Sequence, residues 1–131
     1  SLCYVTANVV EKMMQDRVKG VIINVSSVSS AGNAGQSAYS AAKAGVNALT
    51  STWAKELSTM GIRVVGISPG YSDTVSTHNA LSKSIVEKIR QEIPLKRLAK
   101  PHEIVDAILF AIKNNYMNGK VIEIDGGLVV S

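Results

Sequence analysis

The chain has 131 residues, of which 46% are apolar and 18% charged, and its net charge is +4. This balance predicts one globular domain with its own core, residues 1–131, and excludes a disordered chain. No apolar run in the sequence is long enough to span a bilayer, so no membrane partner is expected. The single cysteine, Cys3, excludes an internal disulfide and favours a reducing, cytoplasmic location.

The basic side chains and the histidines do not form a pattern typical of a nucleic-acid or metal site. The densest basic cluster, Lys96, Arg97 and Lys100, contains no aromatic residue, so we expect solvated surfaces and no nucleic-acid binding. His78 and His102 lack Cys or carboxylate neighbours at the spacing of metal ligands, so no metal site is expected.

Helix and strand patterns alternate along the chain. Apolar residues at helical spacing predict a first helix that ends at Lys19 and Gly20. A β-branched run then predicts a strand that is buried on both faces, followed by a loop rich in Ser, Gly and Asn. The predicted elements after the first helix are strand 21–25, loop 26–36, helix 37–60, strand 62–68, irregular segment 71–82, helix 84–92, helix 101–112 and strand 120–125.

This order predicts an α/β fold with a parallel sheet, in which ligands bind beyond the carboxyl ends of the strands. Ser26 and Ser27 follow the first strand, and Pro69 and Gly70 follow the second. Tyr39 lies near the start of the helix after the first strand. We therefore expect these residues to converge on one edge of the sheet.

Tyr39 and Lys43 are four residues apart, so they share one face of the predicted helix. An ammonium beside a phenol favours the phenolate and lowers the pKa of the phenol from its ordinary value of ~10. Such a tyrosine can exchange a proton with a carbonyl oxygen, which a serine hydroxyl at the strand end would hold. The same spacing also fits a solvated surface pair, because short motifs recur by chance.

Five motifs in order give the chain a resemblance to the short-chain dehydrogenases/reductases, nearest to the 3-oxoacyl-carrier-protein reductases. They are INVSS at 23–27, AYSAAKAG at 38–45, SPGYSDT at 68–74, IPLKRLAKPHEI at 93–104 and GKVIEIDGG at 119–127. The resemblance implies a Rossmann-like doubly wound parallel sheet, here with three parallel strands and helices on both faces. It also implies hydride transfer between NAD(P)H and a carbonyl/alcohol pair.

The resemblance implies that Tyr39 is the general acid/base and that Lys43 lowers its pKa and binds the nicotinamide ribose. A serine would polarise the substrate oxygen. Counting from the strand selects Ser27, whereas counting back from Tyr39 selects Ser26. We choose Ser27, because strand ends vary less than loop lengths.

The same resemblance implies residues that line the nicotinamide and pyrophosphate: Tyr39, Lys43, Pro69, Gly70, Ser72 and Thr74. Ser72 stands where the family usually has a branched aliphatic residue. The cofactor is NADP or NAD, with NADP slightly favoured. Residues 71–92 would form the substrate lid.

Three family features are missing from residues 1–131. They are the glycine-rich turn of the dinucleotide-binding half, the selector for the adenosine ribose and the catalytic asparagine. Residues 32–35 (GNAG) are interpreted as a turn of the catalytic loop, and Asn8 lies too far into the first helix to replace the asparagine. We therefore expect this chain to be the C-terminal catalytic and substrate-binding half of a longer polypeptide.

Alternative functions remain open within and outside the family. Met60 stands where 3-oxoacyl reductases often carry a basic residue, and a sugar or polyol reductase is a further possibility. The absence of a cofactor half allows a truncated, non-catalytic homologue that acts as an interaction module.

The small residues of helix 37–60, with the first helix, would form the interface of a homodimer or homotetramer, or would pack within the chain.

Overall fold

The computed structural model of the chain describes residue 12, residues 19–26 and residues 35–128, except for the side chains of residues 35–39 and 42. The predicted first helix, apart from Lys12, and most of the loop before Tyr39 therefore lie outside the described residues. Strands and helices alternate through the described part of the chain. Their bounds are β1 Gly20–Val25, α1 Gly35–Leu57, β2 Ile62–Pro69, α2 Val75–Ala80, α3 Lys83–Glu92, α4 Pro101–Lys113 and β3 Val121–Ile124.

The three strands form one parallel sheet in the order β1-β2-β3. The register sets Val25 beside Ile67 and Ser68 beside Glu123. β2 is central and almost wholly buried. The predicted α/β sheet of three parallel strands is therefore confirmed, and each strand lies within two residues of its predicted bounds.

Successive residues of β2 point to opposite faces of the sheet, as the period of a strand requires. Ile62 and Val64 pack against α1 in a buried cluster with Ala54 and Leu57. Arg63 points the other way, and its guanidinium donates hydrogen bonds of 2.9 to 3.0 Å to three carbonyls at and after the end of α4: Ala111, Ile112 and Met117. Helices α1 and α4 therefore cover opposite faces, as in a doubly wound sheet.

Gly66 allows α1 to lie close to the centre of the sheet. A Cβ atom at this position would lie 2.7 Å from Val121 Cγ2, 2.9 Å from Thr50 Oγ1 and 3.2 Å from Val46 Cγ1. Real Cβ atoms do not approach other atoms so closely, so any larger residue would push α1 away from β2 and β3.

Two sequence predictions were wrong in part. The segment predicted to be irregular over 71–82 contains helix α2, whose first turn is held by Thr74 Oγ1 accepting a hydrogen bond from the Thr77 N–H at 3.2 Å. β1 is not buried on both faces: Val25 is 47% exposed, and β1 lies at the edge of the described sheet. In addition, α1 begins at Gly35, two residues before its predicted start.

Within residues 19–26 and 35–128, none of the helices combines the length and the hydropathy that a bilayer span requires.

Candidate active site

The carboxyl ends of the three strands meet at one edge of the sheet. Ser26 follows β1 directly, and its N–H donates to the Ile67 carbonyl of β2 at 3.0 Å. Gly70 follows β2, and its N–H donates to the Ile124 carbonyl of β3 at 2.7 Å. The strand ends are thus tied together, and Ser26, Pro69 and Gly70 share this edge.

Lys43 lies at the same edge, although it belongs to α1. Its Nζ atom is 2.6 Å from Oε1 of Glu123 on β3, and the two side chains are 26% and 46% exposed. Glu123 is the strand partner of Ser68, the residue just before Pro69. The contact therefore places Lys43 of α1 above the carboxyl ends of β2 and β3.

Tyr39 precedes Lys43 by one turn of the same helix, and its backbone is helical. Its side chain lies outside the described set, so the predicted contact between phenol and ammonium stays a prediction. The helical backbone between the two residues preserves the spacing on which that prediction rests.

Of the two candidate serines, only Ser26 lies within the described residues. Ser26 is buried, and its hydroxyl donates to the Ser68 hydroxyl at 3.4 Å, beneath α1. Ser27 lies outside the described residues, so the choice between the two serines stays a prediction.

Pro69 and Gly70 are both buried where β2 leaves the sheet. A Cβ atom on Gly70 would lie 2.9 Å from the Asp125 Cα, so the glycine allows this turn to pass against the chain that follows β3. The requirement for glycine at this position thus comes from backbone packing within the chain.

Ser72 and Thr74 are held by the same turn. Ser72 forms an isolated β-bridge with Ala99, and the Asp73 N–H donates to the Ala99 carbonyl at 2.8 Å. Thr74 begins α2 as its N-terminal cap. Asp73 Oδ1 is also 2.6 Å from His78 Nε2, which ties the turn to the side of α2. The structure therefore gives these predicted contact residues a defined position beyond the end of β2.

Glu123 belongs to this group, but the sequence reasoning missed it. A signal was present, because Glu123 is a carboxylate in an apolar strand, VIEI, that ends at the ligand-binding edge. Its partner was not evident, since contact with Lys43 depends on how α1 lies across β3.

Three parallel strands between helices on both faces are part of a Rossmann-type fold, the class that places ligands at the carboxyl ends of its strands. Solved structures agree. A 4-hydroxyisoleucine dehydrogenase complexed with NADH matches with a TM-score of 0.81 and 28% sequence identity, covering 98% of this chain and 54% of that one.

The family follows from the sequence comparisons. Residues 1–129 match a family model described as enoyl-(acyl carrier protein) reductase. The 3-oxoacyl-[acyl-carrier-protein] reductase FabG of Thermotoga maritima is 46% identical over 129 residues, or 96% of this chain and 52% of the relative. The chain belongs to the short-chain dehydrogenase/reductase family, which confirms the resemblance and makes it a relative of oxidoreductases.

A second relative extends this group to thioesters of CoA. The human (3R)-3-hydroxyacyl-CoA dehydrogenase is 38% identical over 127 residues, or 95% of this chain and 48% of the relative. The chain thus spans about half the length of the curated relatives it matches.

Proposed function

We propose that this chain is the catalytic and substrate-binding part of an NAD(P)-dependent oxidoreductase that interconverts a 3-oxoacyl thioester and its 3-hydroxy form by hydride transfer. The observation that carries the proposal is the position of Lys43. Its ammonium lies at the carboxyl edge of the sheet, one helical turn after Tyr39 and beside the strand that leads into Pro69.

Tyr39 is the proton donor in this proposal. In the direction of reduction, its phenol gives a proton to the substrate carbonyl oxygen, and in oxidation the phenolate takes the proton back. Lys43 places a positive charge near the phenol, which stabilises the phenolate and lowers the pKa of Tyr39. The nicotinamide nucleotide, when bound, supplies or accepts the hydride at the substrate carbon.

Ser27 orients the substrate oxygen in this proposal. The Ser26 hydroxyl already donates to Ser68 in a buried contact below α1, which supports Ser27 as the serine that faces the substrate. A hydroxyl at this point would donate to the carbonyl oxygen and increase the polarity of the C=O bond.

The groups at this edge suit a ribose and a pyrophosphate. Lys43 offers an ammonium for the ribose hydroxyls, and the turn 69–74 offers backbone groups together with the hydroxyls of Ser72 and Thr74. We propose that Tyr39, Lys43, Pro69, Gly70, Ser72 and Thr74 contact the nucleotide. We propose NADP or NAD as the nucleotide, with NADP slightly favoured.

The relatives support the substrate class. One is named for a 3-oxoacyl group on a carrier protein and the other for a 3-hydroxyacyl group on CoA. These two groups are the oxidised and reduced forms of one acyl chain, so the names describe opposite directions of one reaction. A sugar or polyol substrate is the alternative within the family.

The assembly is also a proposal. We propose that the chain is the C-terminal half of a longer polypeptide, because it spans about half of its relatives. We also propose a cytoplasmic location, because a single cysteine favours a reducing compartment. A homodimer or homotetramer would form through the helix predicted at the start of the chain and α1. Small residues are exposed along α1, which would allow close approach of a second helix: Ala41, Ala44 and Ala48.

The test is a titration of the full-length polypeptide with NADPH and with NADH, followed by addition of a 3-oxoacyl thioester. We expect binding of at least one nucleotide, and a loss of nicotinamide absorbance that requires the thioester. Failure to bind either nucleotide would overturn the proposal and favour a non-catalytic interaction module. Turnover with sugars or polyols, and none with the thioester, would contradict the thioester substrate and favour a sugar or polyol reductase.

A further inference from the structure

Glu123 of β3 forms an ion pair with Lys43, with 2.6 Å between Oε1 and Nζ. It does not belong to the residues assigned above to proton transfer or nucleotide contact. Nevertheless, it is the strand partner of Ser68 and so lies beside the start of the turn 69–74. Its side chain is 46% exposed and lies at the edge where the nucleotide is proposed to bind.

The contact follows from the way α1 packs on the sheet. At Gly66 a Cβ atom would touch both Val46 of α1 and Val121 of β3, so these residues lie over one another. Lys43 is one helical turn before Val46, and Glu123 is two residues after Val121 on the same face. Because α1 returns antiparallel to the strands, both steps lead towards the carboxyl edge, and the two charges meet there.

We propose that Glu123 is a positioning residue for Lys43, and that it holds the ammonium at the carboxyl edge of the sheet where a nucleotide is bound. This inference rests on the proposed function, which makes this edge of the sheet the nucleotide site. A lysine side chain has four flexible bonds, so a carboxylate on a strand can limit the positions that its ammonium takes. An ammonium has three N–H donors, so a contact with Glu123 is compatible with further contacts to a phenol and a ribose hydroxyl.

The inference is tested by the chemical reactivity of Lys43. Native full-length polypeptide is labelled briefly with acetic anhydride, and acetylation is measured peptide by peptide by mass spectrometry. Lys55, exposed in the last turn of the same helix, is the internal reference. We expect Glu123→Gln to raise the ratio of Lys43 to Lys55 acetylation about twofold to fivefold, because an amide no longer holds the ammonium.

Two further variants separate positioning from general damage. Glu123→Asp keeps the charge on a shorter side chain, so its ratio should fall between those of the parent and Glu123→Gln. Asp106→Asn removes an exposed carboxylate on α4 and should leave the ratio unchanged. An unchanged ratio in Glu123→Gln would overturn the inference, as would an equal rise in Asp106→Asn.

The same measurement with NADPH or NADH added distinguishes this inference from the function on which it rests. We expect the nucleotide to protect Lys43 in the parent protein, and the affinity for the nucleotide to fall about twofold to fivefold in Glu123→Gln. No protection, together with a raised ratio in Glu123→Gln, would contradict the proposed function but support the ion pair. Protection with equal reactivity and equal affinity in both proteins would overturn the role of Glu123 alone.

Discussion

Lys43 shows what a sequence can and cannot predict about a single side chain. Its spacing from Tyr39 was predictable, because the period of a helix fixes which residues share a face. Its contact with Glu123 was not, since that contact requires the register of β3 on β2 and the seating of α1 on both. Local periodicity therefore predicts part of the site, whereas long-range packing decides which charges meet.

The serines give a residue-scale prediction. We expect Ser27→Ala to lower turnover by about 10²- to 10³-fold, the effect of removing a donor to a reacting oxygen. Ser26→Ala should retain most of the activity but lower stability by about 1 kcal/mol, because Ser68 loses a buried partner. Steady-state kinetics and denaturant unfolding measure the two effects. Activity that survives Ser27→Ala but is lost in Ser26→Ala would contradict the assignment.

Elements with a clear apolar period were predictable, and the short polar one was not. The strands and α4 were identified within two residues, because burial on a sheet demands apolar runs and stripes. α2 was missed, since VSTHNA has no such stripe and its first turn is held by the cap at Thr74. A short helix that depends on its cap carries too weak a periodic signal to be recognised.

The packing of α1 on the sheet predicts opposite effects at two glycines. Gly66→Ala should lower the free energy of unfolding by about 1–3 kcal/mol, because the new methyl group overlaps Val121 and Thr50. Gly45→Ala is the matched control, since Gly45 is an exposed helical residue with nothing within 4 Å of a new Cβ atom. It should raise that free energy by about 0.5–1 kcal/mol. Denaturant unfolding measures both free energies. An equal decrease in the two variants would contradict the close packing of α1 on the sheet at Gly66.

The start of α4 depends on one carboxylate. Glu103 accepts two hydrogen bonds from the Arg97 guanidinium, at 2.7 and 2.8 Å, and one from the Lys100 N–H at 2.8 Å. The Arg97 contact and then the Lys100 N–H lower the pKa of Glu103 from 4.5 to about 2. Since the pKa is lower in the folded chain, the ionised form stabilises the fold above about pH 4.5, and this stabilisation is lost as the pH falls towards 2.

Glu103→Gln should therefore make the melting temperature depend less on pH between about 4.5 and 2 than it does in the parent. Glu92→Gln, at an exposed carboxylate that ends α3, is the control and should keep the parent slope. Thermal unfolding by circular dichroism across this range measures the slopes. An identical slope in Glu103→Gln and the parent would show that the carboxylate does not stabilise the start of α4.

At the scale of the whole molecule, the alternation of strands and helices was enough to predict the parallel sheet and its ligand edge. Among the described residues, no strand pairs with the outer side of β1. Val25 is 47% exposed there, and the chain spans about half of its relatives. An unpaired apolar edge of this kind favours association with other chains.

We therefore expect residues 1–131, purified alone, to associate into large species, while the full-length polypeptide gives a discrete oligomer. Size-exclusion chromatography with light scattering measures both. A monomeric 1–131 fragment that unfolds cooperatively would contradict the proposal that these residues are part of a longer polypeptide.

The proton transfer assigned to Tyr39 is tested most directly by turnover of Tyr39→Phe in the full-length polypeptide. We predict that reduction of a 3-oxoacyl thioester falls about 10²- to 10⁴-fold, because phenylalanine has no proton to give. Tyr116→Phe is the matched control, since Tyr116 is 99% exposed after α4, and it should keep the parent rate. Parent-like turnover in Tyr39→Phe would contradict the account.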